Sequence, residues 1–180
     1  MEPRERRPIA LVGLMGAGKS AVARALGERL GTSVADLDAM IEAVEGCSVA
    51  EVFERSGEDA FRRREDELLA SVLQGGVGVI ACGGGVVLGA ERRHTLRERC
   101  LVVWLEVSPE EAARRIGGPG AEGARARPLL AGGDPVQRLR ELLAQRAPLY
   151  ADVAQWRVAT DGLDPQRVAG RVLDAMASTA

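Results

Sequence analysis

The stretch Gly13-Leu-Met-Gly-Ala-Gly-Lys19-Ser20 constrains this chain more than any other. It fits G-x-x-x-x-G-K-[ST], a loop that wraps phosphate groups when a strand precedes it and a helix follows. Both flanks are present. Ile9–Val12 is a short, continuously apolar run suited to a strand buried on both faces. Val22, Ala25, Leu26 and Leu30 recur at helical spacing and Gly31 stops them, which predicts a helix from about Gly18 to Leu30. Glycines let the backbone curl so that successive N–H groups point at phosphate oxygens. The start of the helix adds unpaired N–H groups and the positive end of its dipole. Lys19 is then placed to reach the β- and γ-phosphates and Ser20 to offer its hydroxyl to Mg²⁺. A random match to this pattern arises on the order of once in a thousand chains of such composition. Lys19 is also the only lysine, every other basic side chain being arginine. Lysine is kept where a compact point charge must fit among phosphates.

Beyond the loop, apolar runs alternate with longer helical patterns, the signature of a parallel α/β sheet. Strands are expected at 9–12, 34–38, 77–82, 101–107 and 156–160. Ser48-Val-Ala-Glu51 reads as a capping box opening a short helix, and Ser56-Gly-Glu-Asp59 starts a longer one running to about Leu73. Ser108-Pro, Asp134-Pro and Asp164-Pro each place a capping side chain before a proline at the first helical position. These elements predict a P-loop NTPase-type fold, three layers α/β/α around a central five-stranded parallel sheet. Residues 1–180 are read as one domain. Gly117–Ala126, GGPGAEGARA, breaks the pattern and reads equally as a surface connection or as a mobile lid over about 117–130.

Composition excludes several classes. A formal charge of −2 provides no basic face for nucleic acid. No stretch approaches the length of a membrane span, and the apolar run before Gly13 is too short for a signal-peptide core. Cys47, Cys82 and Cys100 form no CxxC pair and are odd in number, so reduced, mostly buried thiols in the cytoplasm are expected.

A P-loop alone does not separate GTPase, transporter ATPase, helicase and small-molecule kinase. No N-K-x-D guanine motif, no strand ending in Asp-Glu and no LSGGQ-like stretch is present, which favours a small kinase. Asp36 and Asp38 lie two apart at the end of the second predicted strand and so project to one face. One could hold Mg²⁺ through water and the other a substrate hydroxyl, or both could be solvated turn residues. Arg62, Arg63 and Arg64 fan out around a helix, so at most two of them face one cleft. Arg146 alone is uninformative, and His94 reads as a solvated helix residue.

Taken together, GLMGAGKS, DLD at 36–38, FERSGEDAFRRRE at 53–65, CGGG at 82–85, RPLL at 127–130 and RAPLY at 146–150 resemble a shikimate kinase over nearly the whole chain. The resemblance implies that Gly16, Ala17, Gly18, Lys19, Ser20 and Ala21 bind ATP, with Arg115 near the adenine. It associates Asp36 with Mg²⁺, beside Ser20, and gives Asp38 the shikimate hydroxyls. Arg62 and Arg146 are implied to hold the shikimate carboxylate, Gly84 to contact substrate through its backbone, and Arg127 to reach the phosphates from a lid. Planar, bidentate guanidinium groups suit a rigid carboxylate. A glycine turn at a strand's C-terminal end suits backbone contact where open α/β sheets place ligands. Lys19, Asp38 and Arg127 are the expected catalytic residues of in-line transfer from ATP to the shikimate 3-hydroxyl. A monomer is expected, with ATP and shikimate as partners and no nucleic acid or membrane. Another P-loop small-molecule kinase and a non-catalytic nucleotide-binding module are the alternatives. Two departures stand out. The glycine-rich segment is longer than in typical members, and Thr160–Asp164 lacks a basic residue found near the adenine in some of them.

Overall fold

Apolar runs with side chains buried on both faces force the strands to the middle of the molecule. The computed structural model describes residues 7–117 and 134–178. It places β1 (Ile9–Val12), β2 (Val34–Asp36), β3 (Val79–Ala81), β4 (Leu101–Glu106) and β5 (Trp156–Ala159) in one sheet of order β2-β3-β1-β4-β5. Every pairing is parallel. Alternate residues along the strands feed two separate cores. Ile9, Leu11, Val79, Ala81, Val103 and Leu105 pack with α1 (Lys19–Leu30) and α7 (Pro165–Ala177). Ala10, Val12, Ile80, Val102 and Trp104 pack with α3 (Val49–Gln74), α4 (Ala90–Arg99) and α6 (Pro135–Val153). The three-layer α/β/α arrangement with five parallel strands is therefore the one expected.

The helix starts obey their capping residues. Ser48 and Glu51 form the full capping box of α3, with Glu51 N–H donating to Ser48 Oγ and Ser48 N–H to Glu51 Oε2. Gly57, at φ 77° and ψ 172°, breaks α3 into the short and long helices read from the sequence. Asp134 and Asp164 accept from Val136 N–H and Arg167 N–H ahead of α6 and α7. Ser108 Oγ accepts from Glu111 N–H at the start of α5 (Pro109–Gly117).

One element differs in a way that bears on function. The strand expected over 34–38 ends at Asp36, and α2 (Leu37–Glu45) follows with no loop between. Asp36 is extended, at φ −117° and ψ 109°, yet its side chain accepts from Ala39 N–H and caps the helix. Asp36 and Asp38 are thus a strand end and a first-turn helix residue, not two side chains on one strand face. Leu37 between them and Ile41 one turn on are both buried, which turns the helix inward. The lid expected over about 117–130, with Arg127, lies outside the described residues but for Gly117.

Candidate active site

The chain leaves β1 for the sheet edge, returns to β3 and crosses to β4, so β1 lies between strands reached in opposite directions. Ligands of open α/β sheets collect at such a switch point, beyond the strands' C-terminal ends. Residues 13–21 follow β1 and residues 82–85 follow β3, so both segments open onto that crevice.

The loop after β1 needs its glycines for two reasons. Gly13, Gly16 and Gly18 have φ of 144°, 80° and 87°, where side-chain-bearing residues are strained. A methyl group on Gly16 would also come within 2.8 Å of the Ala112 carbonyl oxygen, so α5 closes directly over the loop. Gly18 caps α1 with no side-chain hydrogen bond, and the first turn carries no acid. Such a helix start offers its N–H groups and dipole to an anion. Lys19 Nζ donates to the carbonyls of Gly13 (2.9 Å) and Leu14 (3.0 Å), which holds the ammonium inside the loop. Ser20 is exposed and Ala21 half-buried in the following turn.

Arg115 braces this cradle. Its Nη1 donates to Gly16 O (3.3 Å) and Thr160 Oγ1 (3.1 Å), and its Nη2 to Thr160 O (2.6 Å). Its Nε donates to Glu111, whose carboxyl is held down to about 2 by the Arg114 hydrogen bond and by Arg115 itself. The α5 helix, the phosphate loop and the end of β5 are thereby tied together. In the stretch 160–164, which lacks a basic residue, Asp161 accepts from Ser108 N–H and Asp164 caps α7.

The other end of the crevice is made of side chains from distant elements meeting at Gly83-Gly84-Gly85. None of the three has positive φ, so this turn does not use the left-handed freedom of glycine. It uses the missing side chains. A methyl on Gly83 would lie 2.7 Å from Asp38 Oδ1 and 2.9 Å from Glu65 Oε1. One on Gly84 would lie 3.5 Å from both Arg146 Nη1 and Gly13 O, and 3.6 Å from Met15 N. One on Gly85 would overlap the Arg62 guanidinium, with Nη1 at 2.9 Å. Each glycine thus admits a different wall of the crevice.

Those walls are held in turn. Arg146 is buried on α6 and donates to Gly84 O at 3.1 Å, and Tyr150, one turn later, donates its hydroxyl to the same oxygen at 2.6 Å. Burial pushes the Tyr150 phenol up to about 12, so it remains a donor at neutral pH. Arg62 donates to Glu65 Oε2 (2.7 Å) and Glu58 Oε1 (3.3 Å). Its guanidinium lies 5.1 Å from the Phe61 ring and 5.9 Å from the Phe53 ring, two rings stacked at 4.4 Å. Aromatic faces steady a cation and leave its edge for a planar anion. Burial also raises the Cys82 thiol well above its ordinary value, which keeps it neutral in the core beneath the turn.

Asp38, Arg62, Gly84 and Arg146 therefore converge beside the cradle of Gly16–Ala21. Arg115 joins through the cradle, Asp36 lies at the end of β2, and Arg127 lies outside the described residues. Glu65, Tyr150 and Arg92 were not singled out from the sequence. Glu65 stands three residues after Arg62, a spacing that pairs side chains on a helix, and Tyr150 closes the RAPLY stretch. Arg92 carries no such signal. His94 is exposed, as expected.

The family model described as shikimate kinase matches residues 15–177. The shikimate kinase of Symbiobacterium thermophilum is 46% identical over 168 residues, covering 93% of this chain and 95% of that protein. That of a Marinomonas species is 43% identical over 170 residues, covering 93% and 91%. Among solved structures, shikimate kinase from Acinetobacter baumannii in complex with shikimate superimposes with a TM-score of 0.88 at 36% identity, covering 96% of this chain and 94% of that one. A gluconokinase from Sinorhizobium meliloti, at 19% identity and a TM-score of 0.63, shares the fold.

Proposed function

This chain belongs to the shikimate kinase family, and from that premise we propose how its residues divide the work of moving a phosphoryl group from ATP to shikimate. The enzyme is an ATP-dependent kinase that transfers the γ-phosphoryl group to the 3-hydroxyl of shikimate, giving shikimate 3-phosphate and ADP. The observation that carries the division is the position of Gly84. Across this one residue the buried Arg146 guanidinium and the backbone of Gly13 and Met15 approach within 3.5–3.6 Å of the missing side chain. An acid held by Arg146 and Arg62 is thereby next to phosphates held by the cradle.

Gly16, Ala17, Gly18 and Ala21 hold the phosphates through backbone N–H groups, and Arg115 keeps that backbone in place while facing the adenine. Lys19 exchanges the carbonyls of Gly13 and Leu14 for the β- and γ-phosphate oxygens. Arg62 and Arg146 grip the shikimate carboxylate, which fixes the ring so that Asp38 orients or deprotonates the reacting hydroxyl. Transfer of this kind needs positioning and neutralisation of charge more than covalent help. Arg127 supplies a further positive charge at the phosphates.

Ser20 and Asp36 are the residues that would hold Mg²⁺. Both are hard oxygen donors, and Mg²⁺ takes few protein ligands, completing its shell with water and phosphate oxygens. Asp36 spends Oδ1 on capping α2, and its carboxylate has a second oxygen to offer. Held there, Mg²⁺ would supply neutralisation of the nucleotide's phosphate charge.

We read residues 1–180 as one domain, in keeping with a family model that runs from residue 15 to 177, and the enzyme as a monomer. Among the described residues no helix is long and apolar enough to cross a membrane. The free thiols of Cys47, Cys82 and Cys100 suit a reducing compartment, and we place the enzyme in the cytoplasm.

The test is ADP release from Mg·ATP with and without shikimate, with phosphorus NMR of the product. Shikimate-dependent release and a phosphate ester at the 3-position are expected. ADP release indifferent to shikimate would move the acceptor to another small molecule, and nucleotide binding without release would leave a binding module.

A further inference from the structure

Behind the acid-binding end lies a carboxylate with two arginines on it. Glu65 of α3 is fully buried. Its Oε2 accepts from Arg62 Nη1 at 2.7 Å and lies 3.8 Å from Nε of Arg92 on α4. Its Oε1 has no hydrogen-bond partner among the described residues and faces Gly83 beside Asp38. Arg92 is only 9% exposed and is fixed from three sides. Nε donates to Val86 O at 3.1 Å, Nη1 donates to Asp66 Oδ1 at 2.8 Å, and the guanidinium lies over Gly89. A methyl group on Gly89 would come within 2.6 Å of Nη2.

A buried carboxylate must be compensated, and removing one partner of a buried pair leaves a costly charge. If Arg62 alone neutralised Glu65, the pair would present little net charge to an incoming acid. Arg92 changes that balance. Two arginines against Glu65 leave one positive charge in excess, and Arg62 is the one at the Gly85 wall of the crevice. Asp66 also draws on Arg92 and Glu58 on Arg62, but both of those side chains are more than half exposed, where solvent screens them.

We propose that Arg92 is a positioning residue for the acid substrate: as the standing counter-charge of Glu65, it leaves the Arg62 charge available to the shikimate carboxylate without touching the substrate. This rests on the reading that Arg62 binds that carboxylate.

The test is a double-mutant cycle read by steady-state kinetics and melting. Arg92→Met keeps the apolar stem and removes the charge. It is expected to raise KM for shikimate about three- to tenfold, with kcat and KM for ATP within about twofold. Arg92→Gln, which retains an amide donor for Val86 O, gives the same rise and decides the matter should the methionine variant not fold. Arg92→Lys restores most of the loss. In a Glu65→Gln background, Arg92→Met adds little, because the charge it compensates is gone. An unchanged KM for shikimate in a folded Arg92 variant overturns the proposal. So does an equal rise for ATP, or a rise that persists in the Glu65→Gln background. Arg62→Ala is measured alongside. If it too leaves KM for shikimate unchanged, the carboxylate reading itself has failed; if it raises KM and Arg92→Met does not, only the role of Arg92 has.

Discussion

The two ends of the crevice are built from different material. The end we assign to the phosphates is backbone from one stretch, residues 13–21, shaped by glycines of positive φ and closed by α5. The end we assign to the acid is side chains from α2, α3 and α6, brought together because three glycines without unusual φ leave room for them. A backbone cradle recognises any polyphosphate, and its neighbours α5 and Arg115 brace its shape without adding selectivity among polyphosphates. A cluster of buried ions recognises one shape and one charge and depends on every partner being in place. Generic binding is local in the chain and specificity is assembled in space.

That contrast can be broken by substitutions chosen at each end. Lys19→Ala should give the largest effect, a fall in kcat of about a thousandfold or more with the melting temperature nearly unchanged, since the charge is needed in the transition state. Arg62→Ala should leave kcat for saturating shikimate within an order of magnitude and raise KM for shikimate about a hundredfold, as expected for losing one partner of a buried charged contact. KM for ATP should stay put. Gly84→Ala tests the joint between the ends. Its methyl meets Arg146 and Gly13 at ordinary contact distance, so the fold should survive. Because it intrudes on both ends, kcat/KM should fall about tenfold for each substrate. Tyr150→Phe should be the mildest, about 1 kcal/mol of stability and about a threefold higher KM for shikimate, since Arg146 still holds Gly84 O. A Tyr150 variant that weakened ATP instead would show the two ends to be coupled.

What could be read in advance follows the same line. The cradle was legible because its chemistry is contiguous, and the helix starts because Ser48, Ser108, Asp134 and Asp164 act on N–H groups two or three residues away. Asp36 misled because one residue ends a strand and caps a helix at once, which hides the boundary and the whole of α2. The Gly83–Gly85 turn was legible as a close approach, but which group approaches each glycine depends on α2, α3 and α6 packing against β3. Arg92 was least legible. Within Glu91-Arg-Arg-His94 it looks like any solvated helix residue, and only its place over Gly89 and against Glu65 buries it.

The most direct measurement compares turnover of shikimate with that of its methyl ester at equal Mg·ATP, in the wild-type enzyme and in Arg62→Ala. The ester keeps the ring and hydroxyls, loses the negative charge and adds one methyl group, so the acid-to-ester ratio is read as its change between wild type and Arg62→Ala. Shikimate should turn over far more efficiently than the ester in the wild type, and the advantage should largely vanish in Arg62→Ala. Equal turnover of acid and ester by the wild type would contradict the account, because Arg62 and Arg146 would then not be reading a carboxylate.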